Sequence, residues 1–105
     1  MTDGPRVAVL DYDAGNVRSA EAGFRAAGAD AFVTNRVAEA RAADALVVPG
    51  VGHIRSCLAS LRASGLHDLL GEWIDDQRPL FGICVGMQLL YEHSDEGDTA
   101  ALGLL

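Results

Sequence analysis

Positive charge is scarce in this chain: 8 Lys plus Arg stand against 15 Asp plus Glu, for a net charge of -7 with neutral histidine. A surface of that sign repels phosphate backbones and anionic membranes, so nucleic acid and lipid are excluded as partners, while small polar substrates and proteins stay open. Cysteine is scarcer still, at 2 residues, Cys57 and Cys84, and these are not spaced as a redox or zinc pair. No apolar run approaches the roughly 20 residues of a membrane-spanning helix. No basic segment leading into a long apolar one precedes Val7, which gives the expectation of a cytoplasmic, reduced protein. Internal repeats, low-complexity tracts and linker compositions are also absent, and 105 residues suffice for one compact domain or part of one.

What is present is alternation. Val7 to Leu10 is a short valine-rich apolar run closed by the turn-forming stretch Asp11 to Asn16, a strand running into a loop. Asn16 is a suitable N-cap, and Val17, Ala20, Phe24 and Ala27 recur at helical spacing until Gly28 stops the helix. Ala31 to Thr34 predicts a second strand, Ala38 to Ala43 a short helix, and Ala45 to Val48 a third strand ending at Pro49-Gly50. His53 to Arg62 and Leu66 to Asp76 carry helical spacing on either side of Gly65. Pro79 to Ile83 then predicts a fourth strand entering a helix from Cys84 to about Glu92. Ser94 to Thr99 reads as a polar loop, and the apolar Ala100 to Leu105 as the entrance to a further element. The expected fold is α/β, a mainly parallel sheet with helices on both faces, since continuous apolar strands belong to sheets buried on both sides. Ligands bind such sheets at the carboxyl ends of the strands.

Two glycine-bearing segments fall at that edge. Gly82-Ile83-Cys84-Val85-Gly86 has the form of a nucleophile elbow with cysteine in place of serine: a sharp strand-to-helix turn exposes the side chain above the sheet. The helix start there would favour the thiolate, the form that attacks a carbonyl carbon. Cys84 equally reads as a small buried hydrophobe, and spacing alone leaves both readings open. Pro49-Gly50-Val51-Gly52 offers backbone N–H groups that a ligand can approach closely. With the N–H of Val85, those of Val51 and Gly52 would make an oxyanion hole; a plain turn is the simpler reading. Neither segment completes a dinucleotide or P-loop motif, so no cofactor is expected.

A general base is harder to find. His53, His67 and His93 each fall in or beside an expected helix, His53 nearest the glycine turn and the other two as solvated helix positions. None shares a metal-ligand spacing with a cysteine or carboxylate, so no metal is expected. Asp11, Asp13 and Asn16 lie at the ligand edge but suit turns and helix starts. Cys57 and Trp73 fall on apolar helix faces and read as core.

Together, Asp11 to Asn16, Pro49 to Gly52 and Gly82 to Leu90 resemble the class I glutamine amidotransferases. Within that class, Gly15-Asn16, Pro-Gly-Val-Gly and Met87-Gln88-Leu89-Leu90 are most similar to the glutaminase subunits of imidazole glycerol phosphate synthases. The resemblance spans about Val7 to Leu105 and implies that residues 1–105 are the N-terminal part of one amidotransferase domain, cut short. It implies that Cys84 attacks the side-chain amide of glutamine, and that Gly52, Gln88 and Glu96 bind the substrate. The ammonia released would pass through a tunnel into a (β/α)8 cyclase subunit that serves histidine biosynthesis. The class's catalytic histidine and glutamate occupy a later His-x-Glu segment that this sequence does not contain, which implies little activity for the chain by itself. Three further readings stand beside this one. They are another class I amidotransferase, a short paralogue that binds glutamine or a partner without hydrolysis, and a different cysteine hydrolase using His53 or His93 as base.

Overall fold

The computed structural model describes residues 4–13, 15–50, 52, 54–84, 93–94 and 99–100. Four strands, β1 (Arg6–Leu10), β2 (Asp30–Thr34), β3 (Ala45–Gly50) and β4 (Leu80–Cys84), form one sheet in the order β2-β1-β3-β4. All three pairings are parallel. Helices α1 (Val17–Ala26), α2 (Val37–Arg41), α3 (Ile54–Ser64) and α4 (Leu66–Asp75) supply the crossovers. The expected α/β class with a parallel sheet is what the chain adopts.

Alternate strand residues face opposite layers, as the two-residue period of a strand requires. Ala8, Leu10, Leu46 and Val48 pack with Ala40 of α2, Leu58 and Leu61 of α3, and Leu69, Leu70 and Trp73 of α4. Val7, Val9, Ala31, Ala45 and Val47 face the other way, onto Val17, Ala20 and Phe24 of α1. The sheet is therefore covered on both sides. Every residue of β3 is buried, which explains why it reads as an unbroken apolar run rather than an alternating one.

Helix ends follow local chemistry. Asn16 Oδ1 accepts from the Ser19 N–H at 3.2 Å, satisfying one of the orphan donors at the start of α1. Gly28, with φ of 100°, follows that helix where a left-handed residue ends it. The α4-to-β4 turn is tied down by Arg78: its guanidinium lies 3.4 Å from the centre of the Trp73 ring, and its Nη1 donates to the Arg41 carbonyl at 3.3 Å and its Nη2 to that of Ala43. The Trp73 indole N–H donates to the Pro79 carbonyl at 2.7 Å, so the ring is core while its polar edge is satisfied.

Three expectations need correction. Pro49 and Gly50 belong to β3 rather than to the turn after it, because they pair with Ile83 and Cys84. Cys84 is accordingly the last residue of β4, not the first of a helix; the expected helical residues 85–92 lie outside the described residues. His93 is in a strand, not a helix: β5 (His93–Ser94) pairs antiparallel with β6 (Thr99–Ala100), closing the ends of what the sequence suggested was an open polar loop. Alternation of apolar residues over two positions is too short a signal to register.

Leu61 is fully buried between α3 and the sheet, so Leu61→Ala should cost about 2–5 kcal/mol in urea unfolding. Arg18→Ala, at the exposed ion pair with Glu21, should change stability by less than about 1 kcal/mol. Equal midpoints for the two variants would contradict this assignment of the core.

Candidate active site

The chain leaves β1 toward β2 on one side and crosses to β3 on the other, so the ends of β1 and β3 flank a topological switch point. Here the segment after β1 meets the end of β3. Asp11 donates its N–H to the Thr34 carbonyl at 2.9 Å, and its Oδ1 accepts from the Asp13 N–H at 3.3 Å. Asp13 turns through a φ of 67°, a conformation that aspartate tolerates better than most residues. Asp11, Asp13 and Asn16 thus have the structural roles expected of them.

Gly15 lies against the next strand. Its φ is 90°, and a Cβ built on it would fall 2.8 Å from Gly50 N and 2.9 Å from the carbonyl carbon of Pro49. No residue but glycine meets both conditions at once. Tyr12 approaches the same place from within the core: it is 2% exposed and its hydroxyl donates to the Pro49 carbonyl. Burial, and secondarily the neighbouring Cys57, pushes the Tyr12 phenol well above the usual tyrosine range, so it stays a neutral donor.

On the far side of β3, Gly50 stands opposite Cys84 in the parallel ladder. The backbone of the candidate nucleophile is therefore beside the strand that leads into the glycine turn. Gly52, two residues beyond β3, is exposed with a φ of 86°. Val51, Val85, Gln88, Glu96 and His53 lie outside the described residues. His67 sits in the first turn of α4, its Nε2 3.3 Å from Asp68 Oδ1 and its buried Nδ1 without a hydrogen bond. Cys57 and Trp73 are core, each 1% exposed.

Two hollows border this edge. One, of about 440 Å³, runs between α1 and the ends of β3 and β4, with Phe24, Pro49, Gly50 and Ile83 in its apolar wall. The other, of about 400 Å³, lies toward α3 and is of mixed polarity, lined by Asp11, Asp13, Asn35 and Ser60 among others. Among the described residues no group of three His, Cys, Asp or Glu side chains could hold a metal ion, and no helix is long and apolar enough to cross a membrane. Tyr12 is the residue that sequence reasoning misses. Its signal is a large ring with a polar tip placed in a turn at the ligand edge, where small residues usually stand.

Residues 23–105 match the CobB/CobQ-like glutamine amidotransferase domain family. The chain belongs to the glutamine amidotransferases. More particularly, it is 43% identical over 107 residues to the imidazole glycerol phosphate synthase subunit HisH of Cutibacterium acnes, covering 100% of this chain and 52% of that protein. It is 44% identical to HisH of Synechococcus elongatus, covering 100% of this chain and 48% of the relative. Among solved structures, a glutamine amidotransferase superposes with a TM-score of 0.78 at 25% identity, covering 94% of this chain and 52% of the other. A protein described as a GMP synthase subunit, from Thermoplasma acidophilum, gives 0.59 at 28% identity, over 84% of this chain and 44% of that one. The chain spans about half the length of the curated relatives it matches.

Gly15→Ala should lower stability by about 1–3 kcal/mol or more, because strain and collision add. Gly23→Ala in α1, where an added Cβ meets nothing within 4 Å, should gain up to about 1 kcal/mol. Thermal melts of the two variants read the contrast, and the same sign for both would refute it. Tyr12 adds a pH dependence. Its raised folded pKa leaves its contribution intact below the unfolded tyrosine value of about 10, and the contribution is lost as pH rises above that value. Urea titrations between pH 8 and 11 should show a shallower alkaline loss for Tyr12→Phe than for the parent chain.

Proposed function

We propose that this chain carries the N-terminal part of the glutaminase subunit of an imidazole glycerol phosphate synthase. Residues 1–105 are then part of a single amidotransferase domain. The observation that supports it most is the register of β3 and β4, with Cys84 opposite Gly50 and Val51-Gly52 next in the sequence. Identity of 43–44% to HisH proteins supports that subunit. The 28% identity to the GMP synthase protein of Thermoplasma acidophilum fits the wider class, so another class I amidotransferase is the second reading.

In this reading the Cys84 thiolate attacks the side-chain amide carbon of glutamine, and the C–N bond breaks as the nitrogen takes up a proton and leaves as ammonia. Water then cleaves the glutamyl thioester, giving glutamate and regenerating the thiol. Backbone N–H groups of Val51 or Gly52 and of Val85 stabilise the oxyanion. Gly52, Gln88 and Glu96 hold the substrate. Ammonia passes to the (β/α)8 cyclase subunit, docked over the carboxyl edge of the sheet, in the cytoplasm. The proton shuttle belongs to the His-x-Glu segment of the class, which is not among these 105 residues.

Glutamate release from glutamine tests this. The 105-residue chain should release essentially none. The reading frame extended through a His-x-Glu segment, mixed with the cyclase and its nucleotide ligand, should release glutamate, and Cys84→Ala should reduce the rate by about 10³-fold or more. Release that is indifferent to Cys84 would overturn the nucleophile. Release indifferent to the cyclase would favour another amidotransferase.

A further inference from the structure

The carboxyl end of β3 is supported unequally on its two sides. Toward β4 the ladder runs to the strand's last residue, Gly50 opposite Cys84. Toward β1 the pairing stops at Val9 opposite Val47, so Val48, Pro49 and Gly50 continue beyond the partner strand on that side. Pro49 also lacks an N–H and can only accept hydrogen bonds there. A buried carbonyl without a donor would be costly, and Pro49 is buried.

The segment after β1 fills this place. The Tyr12 hydroxyl gives the Pro49 carbonyl its hydrogen bond, and Gly15 closes over Pro49 and Gly50 with no space left for a Cβ. The Tyr12 ring belongs to the same core cluster as Leu10, Leu46, Val48 and Cys57, so the donor is fixed by packing in the layer that β3 itself helps to build. Its phenol stays neutral and able to donate throughout the neutral range.

We propose that Tyr12 is a positioning residue for the end of β3: its hydroxyl takes the place of a missing strand on the β1 side of Pro49 and thereby sets the Pro49–Gly50 peptide plane and, through it, where the N–H of Gly52 points. This rests on the assignment of the turn after β3 to the oxyanion site of a glutaminase. An oxyanion donor works only when held near its productive geometry. The carbonyl of Pro49 and the N–H of Gly50 share one rigid peptide plane, one residue before the turn begins. Tyr12 touches no substrate in this role; it acts through Pro49.

Tyr12→Phe keeps the ring and removes the donor. In the 105-residue chain, hydrogen exchange of amides 50 and 52 should quicken about tenfold, the effect one lost hydrogen bond supports. Protection across β1 and β2 should be unchanged, which also reports that the variant is folded. In the extended reading frame with its cyclase, kcat for glutamine should fall about tenfold with KM within about twofold, since only the donors' aim is disturbed. A variant destabilised without being mispositioned would lose protection across β1 and β2 as well. Unchanged exchange at 50 and 52, or faster exchange with unchanged kcat, overturns the proposal. If the unsubstituted extended protein released no glutamate, the glutaminase reading would fall, and the exchange experiment would still decide whether Tyr12 fixes the end of β3.

Discussion

Burial of β3 along its whole length is the constraint from which the rest of the structure follows. A strand with both faces covered needs a hydrogen-bonded neighbour on each side, because its backbone groups have no water to turn to, and parallel strands bring helices to both faces through their crossovers. β1 and β4 are those neighbours, and the crossovers that connect them place α1 on one face and α2, α3 and α4 on the other. Once β3 is fixed, its exit is fixed too, and the exit is where the glycines stand. The chemistry proposed for Cys84 depends on this: adjacent parallel strands bring two loops distant in sequence to the same edge.

Much of this arrangement was legible in the amino-acid sequence because it rests on local signals. Valine-rich runs, an asparagine cap and glycines at helix ends identify β1, α1, β2 and β3 to within one or two residues. The errors came where partners, rather than propensities, decide. Pro49 and Gly50 look like a turn, and in isolation they would be one; β4 recruits them by pairing with Ile83 and Cys84. The same pairing makes Cys84 a strand residue. β5 and β6 are two residues each and have no period to detect. Of the candidate site, Cys84 and Gly52 are proposed from spacing. Tyr12 was not legible, because its role depends on the point where the β1–β3 ladder stops, and register is a property of two strands.

Energetically, the polar interactions of note are those that serve the core. Arg78 spans the Trp73 ring and the carbonyls of Arg41 and Ala43, joining α4, the end of α2 and the entry to β4. The Arg6 guanidinium lies 4.5 Å from the centre of the Phe32 ring, and the main-chain N–H of Arg6 donates to the Asp44 carboxylate at 2.8 Å. By contrast, the ion pairs along α1 are exposed at their arginine ends, and such pairs contribute little. At Arg78 one planar guanidinium covers an aromatic ring and satisfies backbone oxygens together.

The close fit of Gly15 against Pro49 and Gly50 bears on how the two loops can be inherited or transplanted. Residues far apart in the chain share one van der Waals surface, so neither loop is a self-contained cassette. A glycine turn moved into another parallel sheet without the segment that follows β1 would arrive with one flank open. A library that varies residue 15 while holding 49 and 50 constant samples mostly sequences that collide with the neighbouring strand. The unit of exchange in this fold is the pair of loops together with the two strands that deliver them.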